Sequence, residues 1–265
     1  MRSLIQRAYG LAPFAVPFVL ESIGLQACSG DGGELDLALA GADLPTEALI
    51  LLHAGLGLAT ARAVFTTRLP PPATPLVECA LARIAAWGHP DYTPIAIEAL
   101  GLSLRTFRPR QFDILLARLH ELDPQAAAFA AHGAGRALYF RPLRLLPVPD
   151  SAWRALLACR REFSSPELAL EAEKGVLFAF VFVNLHRPRI AEALLSRHGD
   201  AVEHLDAWLP AFSAALLARA MTLPGDPAPE RFVAHRPGDA VAERWGRLIA
   251  SPGRAWLDAL RGAAQ

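Results

Sequence analysis

Side chains that can move protons are concentrated in one short segment, Gly88–Tyr92, which contains His89, Asp91 and Tyr92. An imidazole, a carboxylate and a phenol can donate and accept protons around a bound substrate when they converge on it. We therefore name His89 and Asp91 as candidate catalytic residues. The structural alternative is a loop in which Asp91 caps the following helix and His89 is exposed to solvent.

A second group of candidates lies on the glycine-rich segment Ala131–Ala137. His132 and Arg136 are four positions apart, so they share one face if the segment is helical. His132 is a candidate catalytic residue, and Arg136 could bind an oxyanion of a substrate through two parallel hydrogen bonds. Gly133 and Gly135 would leave room for the substrate against bare backbone. Alternatively, the histidine is structural and the two glycines let neighbouring helices pack closely.

A third group surrounds Lys174, the only lysine of the chain, which precedes the apolar run Gly175–Leu185. A lysine desolvated at this position could form a Schiff base with a carbonyl substrate. An ion pair with Glu171, three positions earlier, is the alternative. Glu173 is a candidate catalytic carboxylate, and Lys174 and Phe178 are candidate substrate-binding residues.

Metal donors are present further along the chain, but they match no strong ligand pattern. The chain has no His-Glu-x-x-His motif, no Glu-x-x-His motif and no aspartate-rich DDxxD run. It also lacks a P-loop, a G-x-S-x-G elbow and a G-x-G-x-x-G motif after a strand. We therefore expect no metal and no cofactor. The donors are Asn184, His186, His198, Asp200, Glu203, His204 and Asp206.

These side chains must be positioned by helices, because alanine and leucine dominate the sequence and no stretch alternates at period two. Prolines are frequent, and each proline can end one helix or begin the next. We predict an all-α fold, a single helical bundle over residues 1–265, with a looser segment at 224–265 as an alternative. Predicted helices lie near 13–27, 45–67, 75–87, 92–107, 109–121, 124–140, 150–162, 166–186, 189–197, 200–222, 239–250 and 252–263.

Four of the predicted helices share a centre of small residues followed by an aromatic residue. They recur at intervals of roughly 35 to 45 residues, the range of helical-pair repeats. Glycine inside a helix costs about 1 kcal/mol relative to alanine, so it needs a compensating gain, either close packing or space for a ligand. The centres are Leu52–Ala59, Glu98–Ser103, Ala131–Ala137 and Glu173–Ala179, and the aromatic residues are Phe65, Phe107, Phe140 and Phe182.

The segment Leu119–Pro124, Phe129 and the segment His132–Phe140 together resemble a motif of a known bacterial family. That family has no known function and occurs in gene clusters for enediyne antibiotics and related natural products. Its motif repeats an LDP…F…G-x-G-x-A-L helix and includes a G-x-G-R-[AS]-L-[WY]-F version. The resemblance is clearest over residues 90–190. It implies a helical protein of secondary metabolism, and it assigns no reaction and no catalytic residue.

The charge balance and the hydrophobic fraction of the chain limit the kinds of molecule that it could bind. The 26 basic residues equal the 26 acidic ones, which disfavours a nucleic-acid partner, and a hydrophobic fraction of 53% excludes disorder over most of the chain. The apolar stretch Leu11–Cys28 is interrupted by Pro13, Pro17 and Glu21. Since a membrane span needs about 20 apolar residues, we expect no transmembrane segment and a cytoplasmic protein.

The sequence thus predicts a protein of natural-product biosynthesis that encloses an apolar, polyene- or isoprenoid-like substrate between helices. Its acid–base residues would serve a cyclase or an isomerase. The alternative is a non-catalytic helical scaffold or an accessory protein of a biosynthetic cluster. Whether the protein is an enzyme and how many copies assemble are left open by the sequence.

Overall fold

The computed structural model describes residues 1–13, 15–29, 44–65, 73–141, 149–201 and 205–263. These residues form helices and connecting turns, and the described part of the chain contains no β-strand. About 85% of the structure is helical. The predicted all-α fold is therefore confirmed.

The chain divides into two units, Met1–Ala134 and Gly135–Gln265. The boundary falls within the helix Pro124–Tyr139, so that this helix contributes residues to both units. The helices that begin in the first unit are α1 (Arg2–Tyr9), α2 (Val16–Ala27), α3 (Thr46–Val64), α4 (Ala73–Trp87), α5 (Thr93–Phe107), α6 (Pro109–Leu122) and α7 (Pro124–Tyr139).

The second unit continues with seven further helices among its described residues. Two 3-10 turns, Gly199–Ala201 and Leu205–Trp208, precede its fourth helix, and a π-helical turn, Gly246–Ala250, precedes its last helix. The helices are α8 (Pro149–Glu162), α9 (Pro166–Asn184), α10 (Pro188–His198), α11 (Leu209–Thr222), α12 (Ala228–Val233), α13 (Asp239–Trp245) and α14 (Ser251–Ala263).

Two helix starts show how local sequence determines these boundaries. Before α7, Asp123 Oδ1 accepts hydrogen bonds from the N–H groups of Gln125 and Ala126, at 3.0 and 3.1 Å. Before α9, Ser165 Oγ accepts one from the Leu168 N–H at 3.3 Å. Both helices then begin with proline, whose missing N–H costs nothing at the first helical position.

Two helix starts differ from the predicted ones, and two short helices were missed. The helix predicted over 200–222 begins only at Leu209, because Pro210 inside a longer helix would remove a backbone hydrogen bond and clash with the preceding turn. The helix predicted over 13–27 begins at Val16. The short helices α1 and α12 were not predicted, since neither is long enough to show a clear apolar period.

Glycines allow the helices of the first unit to approach backbone to backbone. A Cβ added at Gly55 would overlap backbone atoms of α2, and one added at Gly57 would overlap the Ala96 carbonyl of α5. Gly101 and Gly133 make the same close approach between α5 and α7. Of the two explanations for the repeated glycines, close packing is therefore the one that the structure shows here.

The second unit is built around α9, which packs against α8 and α11. Gly135 of α7 lies against the backbone of Ala172 on α9, so that a Cβ at this position would overlap the Ala172 carbonyl. Phe180 of α9 is fully buried, as are Trp208 and Phe212 beside it in the core of this unit.

The apolar run Gly175–Leu185 is not buried on all sides. Most of its residues are buried, but Phe178 and Phe182 are half-buried and Val183 is 39% exposed. The aromatic positions of the repeat also differ among themselves, because Phe65 is 3% exposed and Phe107 is 77% exposed. Three of the four repeats thus place glycines at close helix crossings, whereas their aromatic residues share no common contact.

Among the described residues, one helix is long and apolar enough to cross a membrane, namely α3. Its apolar window is 61% buried inside the protein. A core helix of a soluble protein passes the same test of length and composition, so α3 alone does not indicate a membrane span.

Candidate functional site

The buried carboxylate of Glu173 is the centre of the candidate site. Glu173 lies on α9, and its side chain is 7% exposed. Its Oε1 accepts a hydrogen bond from Arg160 Nε of α8 at 2.6 Å, and its Oε2 accepts one from Trp208 Nε1 at 3.2 Å. A carboxylate at such a depth is stable only with partners of this kind, a cation and a hydrogen-bond donor.

This carboxylate lies at the wall of a cleft of about 750 Å³ in the second unit, which we call the Glu173 cleft. Small-molecule sites typically measure about 300–1,000 Å³ and combine apolar walls with a few polar groups. The cleft has this composition, since aromatic and aliphatic side chains supply most of its lining. Its residues are Arg160, Phe163, Ser164, Pro166, Ala169, Leu170, Glu173, Ala201, Ala207 and Trp208.

The two carboxylate oxygens of Glu173 can accept more hydrogen bonds than the two that they receive from Arg160 and Trp208. A carboxylate offers about four lone-pair sites on its two oxygens. Arg160 and Trp208 occupy one site on each oxygen. The remaining sites could accept a hydrogen bond or a proton from a molecule in the cleft. Of the four predicted catalytic residues, Glu173 is the one that lines this cleft.

Lys174, the neighbour of Glu173 on α9, pairs with a different carboxylate. Its Nζ lies 2.6 Å from Glu171 Oε1, one turn earlier on the same helix, and the lysine side chain is 21% exposed. The ion pair is therefore the arrangement present in the structure. Schiff-base chemistry at this lysine would require that the pair first be broken.

Arg136 and Phe178, two predicted substrate-binding residues, are in contact. The guanidinium of Arg136 lies 5.4 Å from the centre of the Phe178 ring, and that ring stacks on Phe182 at 5.8 Å. On the other side, the Arg219 guanidinium lies 5.7 Å from the Phe182 ring. Two arginines thus flank two half-buried rings, an arrangement that stabilises exposed aromatic side chains through cation–π contacts.

The two predicted substrate-binding glycines, Gly133 and Gly135, have packing roles. The space into which their side chains would project is filled by the backbone of Glu98 and Leu102 for Gly133, and of Ala172 for Gly135. No ligand can therefore lie against these faces of α7.

The predicted pair of His89 and Asp91 forms a cap at the surface of the first unit. His89 Nδ1 accepts a hydrogen bond from the Asp91 N–H at 3.3 Å, and the two side chains are 44% and 82% exposed. His89 thus caps the 3-10 turn Pro90–Tyr92. The helix α5 that follows begins without a side-chain cap, so Asp91 does not cap it. Carboxylates and imidazoles so open to water lack the enclosed surroundings that acid–base catalysis usually needs.

His53, a residue of the glycine-rich helix α3, is fully buried beneath this cap. Its Nε2 accepts a hydrogen bond from the His89 N–H at 2.9 Å. The proton of the neutral ring must therefore be on Nδ1, which donates to the Leu49 carbonyl at 2.7 Å. Burial lowers the pKa of His53, although the bond to Leu49 opposes that shift. His53 is a structural histidine with both nitrogens bonded.

His132, the remaining predicted catalytic residue, pairs with Glu98 in the first unit. His132 Nδ1 lies 3.2 Å from Glu98 Oε1, and both side chains are 16% exposed. The pair lies where α5 and α7 approach each other at Gly133. His132 therefore makes its contacts apart from His89 and Asp91.

Sequence reasoning missed a buried ion pair between Arg219 and Asp226. Arg219 Nε lies 2.6 Å from Asp226 Oδ2, and both side chains are 4% exposed. Burial alone would raise the pKa of Asp226, but the hydrogen bonds from Arg219 and from the Ala228 N–H lower it below its ordinary value. No spacing rule could have shown this pair, because the partners lie on a helix and on the loop after it.

Among the described residues, no three side chains of His, Cys, Asp or Glu are grouped to hold a metal ion. Several predicted donors have protein partners instead: Asn184 bonds Tyr139, and His198 bonds Asp150. Asp200 and Asp206 pair with arginines of α13 and of the π-helical turn. Glu203 and His204 lie outside the described residues.

The two units therefore define an all-α chain of packed helices, with a ligand-sized cleft in the second unit. No protein-family model, no curated protein and no solved structure matches the chain.

Proposed function

We propose that this chain binds a small, mainly apolar molecule in the Glu173 cleft and acts in natural-product biosynthesis. The observation that carries the proposal is a buried carboxylate at the wall of a cleft of about 750 Å³. The aromatic and aliphatic side chains of the lining suit a polyene- or isoprenoid-like chain. The resemblance of the segment 119–140 to a family of enediyne gene clusters supports a role in secondary metabolism.

If the protein is an enzyme, Glu173 is the residue best placed to act on the ligand. A carboxylate beside an apolar chain can accept a proton or stabilise a developing positive charge. Those are the steps that a cyclase or an isomerase requires. Arg160 and Trp208 would act as positioning residues, since their hydrogen bonds fix the two carboxylate oxygens.

A cleft-filling substitution tests this proposal. Leu170→Trp enlarges a half-buried side chain that lines the cleft, and it leaves the ion pair of Glu173 in place. The protein, purified from the strain that produces it, is analysed by native mass spectrometry for a bound lipid-like molecule. We expect such a molecule in the unmodified protein and none in the Leu170→Trp variant.

Leu122→Trp provides the matched control. Leu122 is 42% exposed at the end of α6 and does not line the cleft. The control variant should retain the bound molecule. Retention of the molecule by Leu170→Trp would contradict the proposed site, and its absence from all three proteins would contradict the proposed function.

A non-catalytic scaffold is the second candidate, and the glycine crossings favour it. The helices of the first unit pack closely at four glycines, and neighbouring helices fill the space at these crossings. The glycines are Gly55, Gly57, Gly101 and Gly133. A scaffold would still support product formation in the producing strain when Leu170→Trp blocks the cleft. Loss of the product in that variant favours the ligand-binding function.

The remaining parts of the proposal concern partners and location. The net charge of zero supports a small molecule rather than a nucleic acid as the partner. We place the protein in the cytoplasm, and fractionation of the producing strain tests this.

A further inference from the structure

A second cavity, a groove of about 440 Å³, lies along α8. It is lined by Arg154, Leu157, Arg160 and Arg161, and we call it the arginine groove. Leu157 is three positions from Arg154 and from Arg160 and four from Arg161, so the four residues lie on one side of the helix. All four are exposed, and Leu157 is 38% exposed.

The arginine groove is apolar along its walls and cationic at its edge. Carbon atoms supply nearly all of its lining. Arginine side chains produce this pattern when their methylene stems lie on apolar surface and their guanidinium groups stay in water. Such a surface suits a molecule that has both an apolar part and a negative charge.

Two of the three arginines carry positive charge that no carboxylate of the described residues balances. Arg160 is paired with Glu173 at 2.6 Å. Arg154 and Arg161, in contrast, have no ion pair with any of the described residues. The groove therefore has a net positive charge at its edge, and guanidinium groups are well suited to bind carboxylate or phosphate oxygens.

Arg160 lines both the arginine groove and the Glu173 cleft. A ligand in the cleft that extends past Arg160 would thus reach Arg154 and Arg161. In the cleft the charges of Glu173 and Arg160 balance each other, whereas the unbalanced charges of Arg154 and Arg161 make the groove the more favourable place for an anionic group. The two cavities therefore distinguish the two ends of a ligand.

We propose that the ligand is an anionic amphiphile, with its apolar body in the Glu173 cleft and its oxyanion bound by Arg154 and Arg161. The oxyanion is a carboxylate or a phosphate. Both groups are negatively charged, and their oxygens accept hydrogen bonds from guanidinium groups. This inference rests on the proposed function, and it adds the class of the ligand and the residues that bind its charged end.

The test compares cis-parinaric acid, a fluorescent polyene with a carboxylate, with its uncharged methyl ester. Both are titrated into the full chain, and binding is followed by probe fluorescence. The Arg154→Gln/Arg161→Gln variant should weaken binding of the acid by about tenfold or more, as expected when charge-assisted hydrogen bonds are lost. Binding of the ester should change little.

Arg187→Gln/Arg189→Gln is the matched control, because it removes two exposed arginines of the same unit that line neither cavity. This variant should bind both probes as the unmodified protein does. An equal loss of acid binding in the control would show a general effect of charge and would overturn the inference.

The outcomes for the inference and for the proposed function differ. If the unmodified protein binds acid and ester equally, the inference is overturned; the loss of both probes in Leu170→Trp would still support the cleft. If Leu170→Trp binds the acid normally and Arg154→Gln/Arg161→Gln does not, the arginine site stands and the proposed cleft is wrong. If neither probe binds, both proposals are overturned.

A second pair of ligands identifies the charged group. Geranylgeranyl diphosphate and geranylgeraniol are each used to displace bound cis-parinaric acid. Displacement by the diphosphate alone supports a phosphate end, and displacement by neither supports a carboxylate end. Equal displacement by the alcohol and the diphosphate would overturn the inference.

Discussion

Arg160 and Glu173 form an ion pair whose two ends differ in their access to water. The Glu173 side chain is 7% exposed, the Arg160 side chain is 41% exposed, and 2.6 Å separates Oε1 from Nε. A charge that loses its partner is costly in proportion to how poorly water can replace that partner. Removal of the arginine should therefore destabilise the protein more than removal of the charge on the glutamate.

The first prediction measures this asymmetry. Arg160→Met should reduce the free energy of unfolding by about 3 kcal/mol, because a buried carboxylate is left with the Trp208 N–H alone. Glu173→Gln keeps an acceptor for Trp208 and leaves a guanidinium that water can reach, so it should cost about 1 kcal/mol. Urea denaturation at neutral pH measures both values.

The control for this comparison is Arg154→Met, which removes an exposed arginine from the same helix without breaking an ion pair among the described residues. It should change the free energy of unfolding by less than about 0.5 kcal/mol. Equal costs for Arg160→Met and Glu173→Gln would show that the difference in exposure has no energetic consequence.

The second prediction concerns the close approach of α7 and α9. Gly135→Ala should destabilise the protein by about 2 kcal/mol, because the new Cβ would overlap the Ala172 carbonyl and the helices must separate. Gly246→Ala is the matched control, since a Cβ at that helical position would meet nothing within 4 Å. It should stabilise the protein by about 0.5 kcal/mol. Thermal unfolding of both variants distinguishes packing glycines from permissive ones.

Helix boundaries were largely predictable because the relevant contacts are local. Asp123 and Ser165 each accept hydrogen bonds from residues two or three positions ahead, a pattern that a single sequence shows. Gly133 and Gly135 were predicted to leave space for a substrate, with close helix packing as the alternative, and the structure shows the packing. Which helix lies against each glycine could not be predicted, because Gly135 and Ala172 are far apart in the sequence.

The site was predicted only in part. Glu173 and Lys174 were named together because they are adjacent, yet adjacent residues of a helix point in different directions, and here they have different partners. Trp208 lies 35 positions from Glu173, so no spacing could indicate their bond. His89 and Asp91 form a dense cluster of titratable groups in the sequence, and in the structure they lie in an exposed cap.

The third prediction concerns acid stability. The folded-state pKa of Asp226 lies below its ordinary value of 3.8. The stability that this carboxylate contributes is therefore present above that value and is lost as pH falls through the folded pKa. Asp226→Asn should destabilise the protein at pH 7 by about 3 kcal/mol, because it leaves the buried Arg219 without a counter-ion. The difference from the unmodified protein should shrink below about pH 4.

Urea denaturation at pH 7 and at pH 3 measures this difference. Asp239→Asn is the control, because Asp239 is exposed. Its effect should be small at both pH values. A difference between Asp226→Asn and the unmodified protein that stays constant with pH would exclude Asp226 as a source of acid sensitivity.

The buried ring of His53 gives rise to a second pH effect, at higher pH. Its Nε2 accepts the His89 N–H, so protonation of this nitrogen would break the bond and place a positive charge in the interior. Burial is the main reason why the pKa of His53 lies below its ordinary value of 6.5. The folded state therefore binds the proton less readily than the unfolded state does.

The fourth prediction follows from this difference in proton binding. For a histidine with a lowered folded-state pKa, stability is greatest above the unfolded pKa and decreases as pH falls from about 6.5 towards the folded value. His53→Gln keeps a neutral donor and acceptor, so its free energy of unfolding should fall less between pH 7.5 and 5.5 than that of the unmodified protein. His120→Gln, at an exposed position, should leave the pH dependence unchanged. If His53→Gln and the unmodified protein lose equal stability over this range, the buried ring is not the group that titrates.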